Sequence, residues 1–262
     1  MAEIIELTGY FDESGTHKGA PVAGIAGYLG PVSEWNRVES LWREELKPFA
    51  HKGLKTFHMY ECRTQTGECA RLENFELQIL QTRLSDILEN ADLKAFGYAV
   101  DVPDWDAITT PRFRSVYPKP YDLCFQSVVA EIELWHRHWG EGNESVALVF
   151  AVQDEYQGRA LTAFNLWKKS QNSLFSGITH AYPSKVPALQ ATDMLVNATT
   201  AEWRGLQTEG PKASNNFGYD PLVTKITKRY GMKGGLYDYR RLTSLVSEFE
   251  RDPAFSPAGS LG

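Results

Sequence analysis

The chain has 262 residues, 33 acidic against 27 basic, a net charge of -6, 42% hydrophobic and 23% charged residues. That is the balance of a globular protein with room for one large core, and it excludes a globally basic nucleic-acid binder. No apolar run reaches the roughly 20 residues that span a bilayer, and the N-terminus has no basic stretch followed by an apolar one, so the sequence predicts a cytoplasmic protein.

In chain order, Ile4 to Phe11 is rich in β-branched and aromatic residues and reads as a strand, stopped by Ser14-Gly15. Pro21 to Leu29 is small, apolar and glycine-punctuated, and reads as a second strand returning antiparallel through Gly15 to Gly19. Ser33 is placed to cap a helix running to about Leu46, with Trp35, Val38, Leu41, Trp42 and Leu46 on one face and Pro48 beyond its end. Leu54 to Met59 reads as a strand fragment followed by a polar loop, and Leu72 to Leu88 as a helix with a stripe of Leu77, Leu80, Leu84 and Leu88. Leu93 to Val102 is a strand closed by Pro103, Asp104 to Pro120 an irregular loop, and Tyr121 to Trp139 a helix. Val146 to Val152 is a continuous apolar run, the pattern of a central strand, and it ends in Gln153-Asp154-Glu155. A helix over Arg159 to Lys169, a short strand over Gly177 to Ala181 and a helix opened by Pro187 and running to Arg204 complete the pattern. There is no internal repeat. The expected organisation is a single α/β domain over 1–252, with a helical insertion at about 33–92 and a flexible tail over 253–262.

Chemistry concentrates where acids end apolar strands. Asp12 and Glu13 close the first strand, and a carboxylate desolvated there costs several kcal/mol unless a cation or donors satisfy it; the competing reading is an Asx turn with Ser14. Asp154 closes the central strand. On the late helix, Gln190, Asp193 and Asn197 share one face, an acid flanked by amides where a solvent face would carry Lys, Glu and Arg. Asp12, Asp154 and Asp193, brought to one sheet edge, would hold divalent cations through oxygen, with Mg²⁺ or Mn²⁺ favoured over zinc. Two such ions suit in-line phosphodiester hydrolysis. Gln190 would orient a ligand or water, and His58 would act as a general acid/base or bind phosphate, unless it is a structural histidine beside Phe57 and Tyr60. The odd count of cysteines, Cys62, Cys69 and Cys124, argues against a disulfide framework. With His58 they lack the spacing and fourth ligand of a zinc site. From Pro211 to Arg241 seven bases, among them Arg229, face two acids with five aromatics interleaved. That suits a phosphate backbone and stacked bases, or else a solvated helix and loop.

The segments Tyr10-Phe11-Asp12-Glu13-Ser14-Gly15 and Leu189-Gln190-Ala191-Thr192-Asp193-Met194-Leu195 together resemble the paired signature of the domain-of-unknown-function family 3800, Y-x-D-E-S-G and L-Q-x-A-D-L-L. Lys55 to Met59 is similar to a third block. Thr192 departs from the family's alanine. The resemblance covers roughly residues 5 to 205 and implies a ribonuclease H-like mixed sheet with an N-terminal antiparallel hairpin, helices on both faces, an acidic metal site and nuclease activity. A fourth acidic ligand stays open among Glu13, Glu61 and Glu131; the ribonuclease H analogy favours Glu131, on the helix before the central strand. The expected function is therefore a metal-dependent nuclease or phosphodiesterase acting on a nucleic-acid backbone. The alternative is a catalytically silent module of the same fold that binds a nucleic acid or protein partner, its carboxylates tied up by Lys55 or backbone donors. Nucleotide-dependent phosphoryl transfer finds no glycine-rich phosphate loop, and nothing in the sequence sets the oligomeric state.

Overall fold

A computed structural model describes residues 5–140, 142, 144–153, 157–170, 174–209 and 232–252, with the side chains of 170 and 205–209 left aside. The strands are β1 (Ile5–Ser14), β2 (Val22–Pro31), β3 (Lys94–Asp101), β4 (Glu144–Ala151), β5 (Phe175–Ala181) and β6 (Lys233–Tyr237). They form one sheet in the order β5-β4-β1-β2-β3-β6. β1, β2 and β3 are consecutive antiparallel neighbours, whereas β4 lies parallel to β1 and β5 parallel to β4. An antiparallel meander continued on its first strand by two parallel strands is the ribonuclease H-like mixed sheet, here extended at the β3 edge by parallel β6.

The helices are α1 (Val32–Leu46), α2 (Met59–Thr64), α3 (Asn74–Glu89), α4 (Val102–Ile108), α5 (Pro111–Val116), α6 (Pro120–Trp139), α7 (Gln157–Ser170), α8 (Pro187–Glu209) and α9 (Tyr239–Arg251). Period-two alternation sorts the sheet's side chains between two cores. Leu7, Phe11, Ile25, Leu29, Phe96 and Val100 face the layer containing α6 and α7. Ala26, Tyr28 and Ala95 face the layer built from α1, α3 and α8. Complete burial of a large apolar side chain such as Phe11 or Trp42 contributes about 2–3 kcal/mol.

Two glycines shape the region that matters. Gly15 has φ 73°, a left-handed turn residue whose added Cβ would run into the Val22 carbonyl, so the hairpin closes tightly right after Asp12-Glu13-Ser14. A Cβ on Gly24 of β2 would stand 3.0 Å from Thr200 Cγ2 of α8. The missing side chain lets α8 lie close on the sheet and brings its inner face to β1.

Several expectations need correcting. Residues 54–58 are loop, and Met59 begins a short helix rather than ending a strand. The stretch 104–120 contains α4, α5 and the start of α6, the first two capped by Asp101 and Thr110 accepting from the backbone N–H groups of Asp104 and Phe113. α1 starts at Val32 without a side-chain cap, so Ser33 is inside it, and Leu41 is exposed while its stripe-mates are buried. Cys62 and Cys69 are joined as one local disulfide and Cys124 is buried and free, where the odd cysteine count had argued against a disulfide framework. Residues 253–262 and 210–231, Arg229 included, lie outside the described residues. The described remainder of the basic aromatic stretch belongs to β6 and α9, where Tyr237 stacks on Tyr98 and pairs its hydroxyl with Ser127. Among the described residues no helix is long and apolar enough to cross a membrane.

Candidate functional site

β1, β4 and β5 run in the same direction, so their carboxyl ends share one edge of the sheet, the place where open α/β sheets present crevices. Pairing of β1 with β4 ends at Phe11 and Phe150. Asp12 and Glu13 are the next two residues, past the parallel ladder. A cavity of about 890 Å³ opens there, lined from β1 by Asp12, Glu13 and Ser14, from α8 by Asp193 and Asn197, and from the α2 side by His58 and Tyr60.

Alternation along β1 sends Asp12 to the α8 face, as it does Tyr10, and Glu13 to the α6 face, as it does Phe11. Both acids are 8% exposed and Asp193 is 3% exposed. Burial, reinforced by the charges of Glu13 and Asp193, holds the Asp12 carboxyl well above the usual carboxylate range, while the Glu13 backbone N–H donates to its Oδ1 at 2.9 Å and opposes that rise. Burial pushes Glu13 up to about 8; the Gln153 amide pulls the other way and the charge of Asp193 adds to the rise. Neither carboxylate oxygen of Glu13 has a hydrogen-bond partner of good geometry among the described residues. Its charge in turn helps raise the Tyr121 phenol, after burial.

Asp193 is better satisfied. Its Oδ2 accepts from the Met59 backbone N–H at 2.6 Å and its Oδ1 from Asn197 Nδ2 at 2.8 Å. Burial still raises its carboxyl, against the nearby positive charge of His58 and those two bonds. His58 itself is exposed at the N-terminal end of α2, between the anchored residues Phe57 and Met59.

Two expected residues do other work. The Gln190 amide is taken up by protein partners: Oε1 accepts from Trp42 Nε1 and from the Phe57 backbone N–H, each at 3.0 Å, and Nε2 donates to the Pro183 carbonyl at 2.9 Å. Its amide is a strut between α1, the loop before α2 and the β5–α8 connection. Glu131, proposed as a metal ligand, is absent from the cavity and accepts from the Tyr98 hydroxyl at 2.8 Å on the far side of the sheet. Asp154 lies outside the described residues, although Ala151, Val152 and Gln153 before it line the cavity. Glu61 also lines the cavity and caps the short turn after α2 by accepting from the Glu68 backbone N–H at 2.9 Å.

No motif or spacing marks Arg204, His17, Tyr182 and Gln153 as cavity residues. Only the packing of α8 and β5 on β1 could reveal them. Asp12, Glu13 and Asp193 have the chemistry of a hard-cation site, since a buried carboxylate without a partner is costly and a bound cation would relieve it. Among the described residues no three potential ligands stand close enough to form a ready-made metal site.

No protein-family model matches the chain, and no curated protein matches it. A chain of the solved PCNA:RNase HII complex from Archaeoglobus fulgidus is similar in structure, with 13% identity and a TM-score of 0.41 over 87% of this chain and 88% of that one. So slight a likeness adds nothing to the topology. The sheet order and directions define a mixed α/β protein of ribonuclease H-like architecture with an acidic cavity at the carboxyl ends of its parallel strands.

Proposed function

We propose that the cavity binds Mg²⁺ or Mn²⁺ and that the protein is a divalent-metal-dependent nuclease or phosphodiesterase. One observation carries the reading: three carboxylates from β1 and α8 are buried at one cavity, and among the described residues neither oxygen of Glu13 has a hydrogen bond of good geometry. Evolution retains such a group in a folded protein when it serves a bound partner, because a hydrogen-bonded or apolar replacement would be more stable.

Asp12 and Asp193 would hold the cation, with Glu13 beside them on the cavity wall and Asp154 as the further ligand expected from sequence. A divalent ion bound there supplies Lewis acidity toward water and toward the phosphoryl oxygens. Asn197 and the Met59 backbone N–H fix the orientation of Asp193. Gln190 holds the loop that carries His58, and His58, exposed beside Asp193, is placed to bind a phosphate oxygen or deliver a proton to the leaving oxygen. Arg204, also on the cavity wall, adds positive charge toward an anionic backbone.

The test is Mn²⁺ titration calorimetry on the wild type, Asp12→Asn and Asp193→Asn, followed by cleavage of labelled RNA and DNA oligonucleotides. Binding and cleavage lost together in both variants supports the reading. Absence of Mn²⁺ binding to the wild type refutes it and favours the silent module.

A further inference from the structure

Resting on the nucleic-acid reading just given, the question that remains is which form of nucleic acid reaches the acids. Tyr60 and Tyr182 line the same cavity as Asp12 and Asp193, yet they are 62% and 56% exposed. The two rings come from different elements: Tyr60 from α2 and Tyr182 from the connection between β5 and α8. A single side chain ties the two supports together. Gln190 accepts from the Phe57 backbone N–H, three residues before Tyr60, and donates to the Pro183 carbonyl, one residue after Tyr182. The turn after Tyr182 is closed on itself, its carbonyl accepting from the Lys185 and Val186 backbone N–H groups. Two exposed rings are thus carried on connected backbone supports beside a polar cavity, with the Lys185 ammonium 5.7 Å over the Tyr182 ring, where it adds a cation to the same surface.

An aromatic face held in water beside a phosphate-binding site suits an unstacked base, which presents a π-face of its own. A duplex keeps its bases stacked inside and gains nothing from the two rings. We infer that the cavity takes single-stranded nucleic acid, with bases stacking on Tyr60 and Tyr182 while the intervening phosphate is presented to Asp12 and Asp193.

The experiment is fluorescence anisotropy with a labelled 12-nucleotide oligouridylate and an oligothymidylate, each free and annealed to its complement, in EDTA so that no cleavage occurs. Wild type, Tyr60→Ala, Tyr182→Ala and the corresponding phenylalanine variants are compared, with circular dichroism confirming that each folds. The expected result is tighter binding of the free strand than of its duplex, weakened about five- to 150-fold by each alanine variant and retained by phenylalanine, which keeps the stacking face. Equal or tighter binding of the duplex, or alanine variants that bind like wild type, would overturn the inference. Failure of the metal site is read separately: Asp12→Asn that no longer binds Mn²⁺ but still binds the free strand leaves the stacking platform standing. Wild type that binds the free strand yet takes up no Mn²⁺ refutes the nuclease reading alone.

Discussion

Glu13 makes a strong prediction because its buried carboxylate, poorly hydrogen-bonded among the described residues, costs the protein stability when no cation is bound. Its carboxyl sits near 8 against an ordinary 4.5. A raised carboxyl pKa favours the folded state while the group is protonated, so stability is full below about pH 4.5 and is lost as pH rises toward 8. At about 1.4 kcal/mol for each unit of displacement, the loss is roughly 1 kcal/mol at pH 5 and roughly 4 kcal/mol at pH 8. Glu13→Gln removes the charge and keeps the shape. Its neutral amide still costs about 1–3 kcal/mol of desolvation, but equally at both pH values. The advantage of the variant over wild type should therefore grow by about 3 kcal/mol from pH 5 to pH 8. In melting temperature that is about 6–12 °C for a chain of this size. The assay is thermal or urea unfolding of both proteins in EDTA at the two pH values. A stability difference that stays constant with pH, or narrows as pH rises, refutes the assignment of Glu13 as a buried, unpaired acid.

The same linkage makes cation binding release protons: Mn²⁺ affinity should fall as pH drops below 8, and calorimetry at pH 6.5 in buffers of different ionisation enthalpy should show net proton release. Gln190→Leu leaves the Trp42 indole, the Phe57 N–H and the Pro183 carbonyl without partners, and should lower stability by about 3–5 kcal/mol in urea titrations. His58→Ala, at an exposed position, should leave the melting temperature within about 2 °C of wild type while reducing single-turnover cleavage by about 10²-fold or more. Thr192 is fully buried but its hydroxyl bonds only the Leu189 carbonyl of its own helix, so Thr192→Ala should change stability by less than about 1 kcal/mol.

Much of this protein was legible in its residues. Short-range physics fixes the β1–β2 hairpin, the buried stripes of α1 and α3, the proline that opens α8 and the acids that end β1, because period, capping and turn chemistry act over a few residues. The strain-tolerant Gly15 marks the turn after Asp12-Glu13-Ser14 in the sequence itself. The short helices α4 and α5 were missed because proline and aromatic residues read as loop until the Asp101 and Thr110 caps are seen to hold their first turns.

What the sequence could not decide was which polar residues meet. Asp12 and Asp193 stand 181 positions apart, and they reach one cavity because the glycine-thinned face of β2 admits α8 closely. Glu131 and Gln190 read as ligands by position and type, but tertiary packing gave the first to Tyr98 across the sheet and made the second a strut. Glu13 differs from its neighbour Asp12 by one step of the pleat, which sends it to the opposite face and leaves it, among the described residues, without a well-formed hydrogen bond. Sequence determines which groups exist and which local face they take. Burial and long-range contact, which depend on how the layers stack, decide which of them are satisfied and which remain available for chemistry.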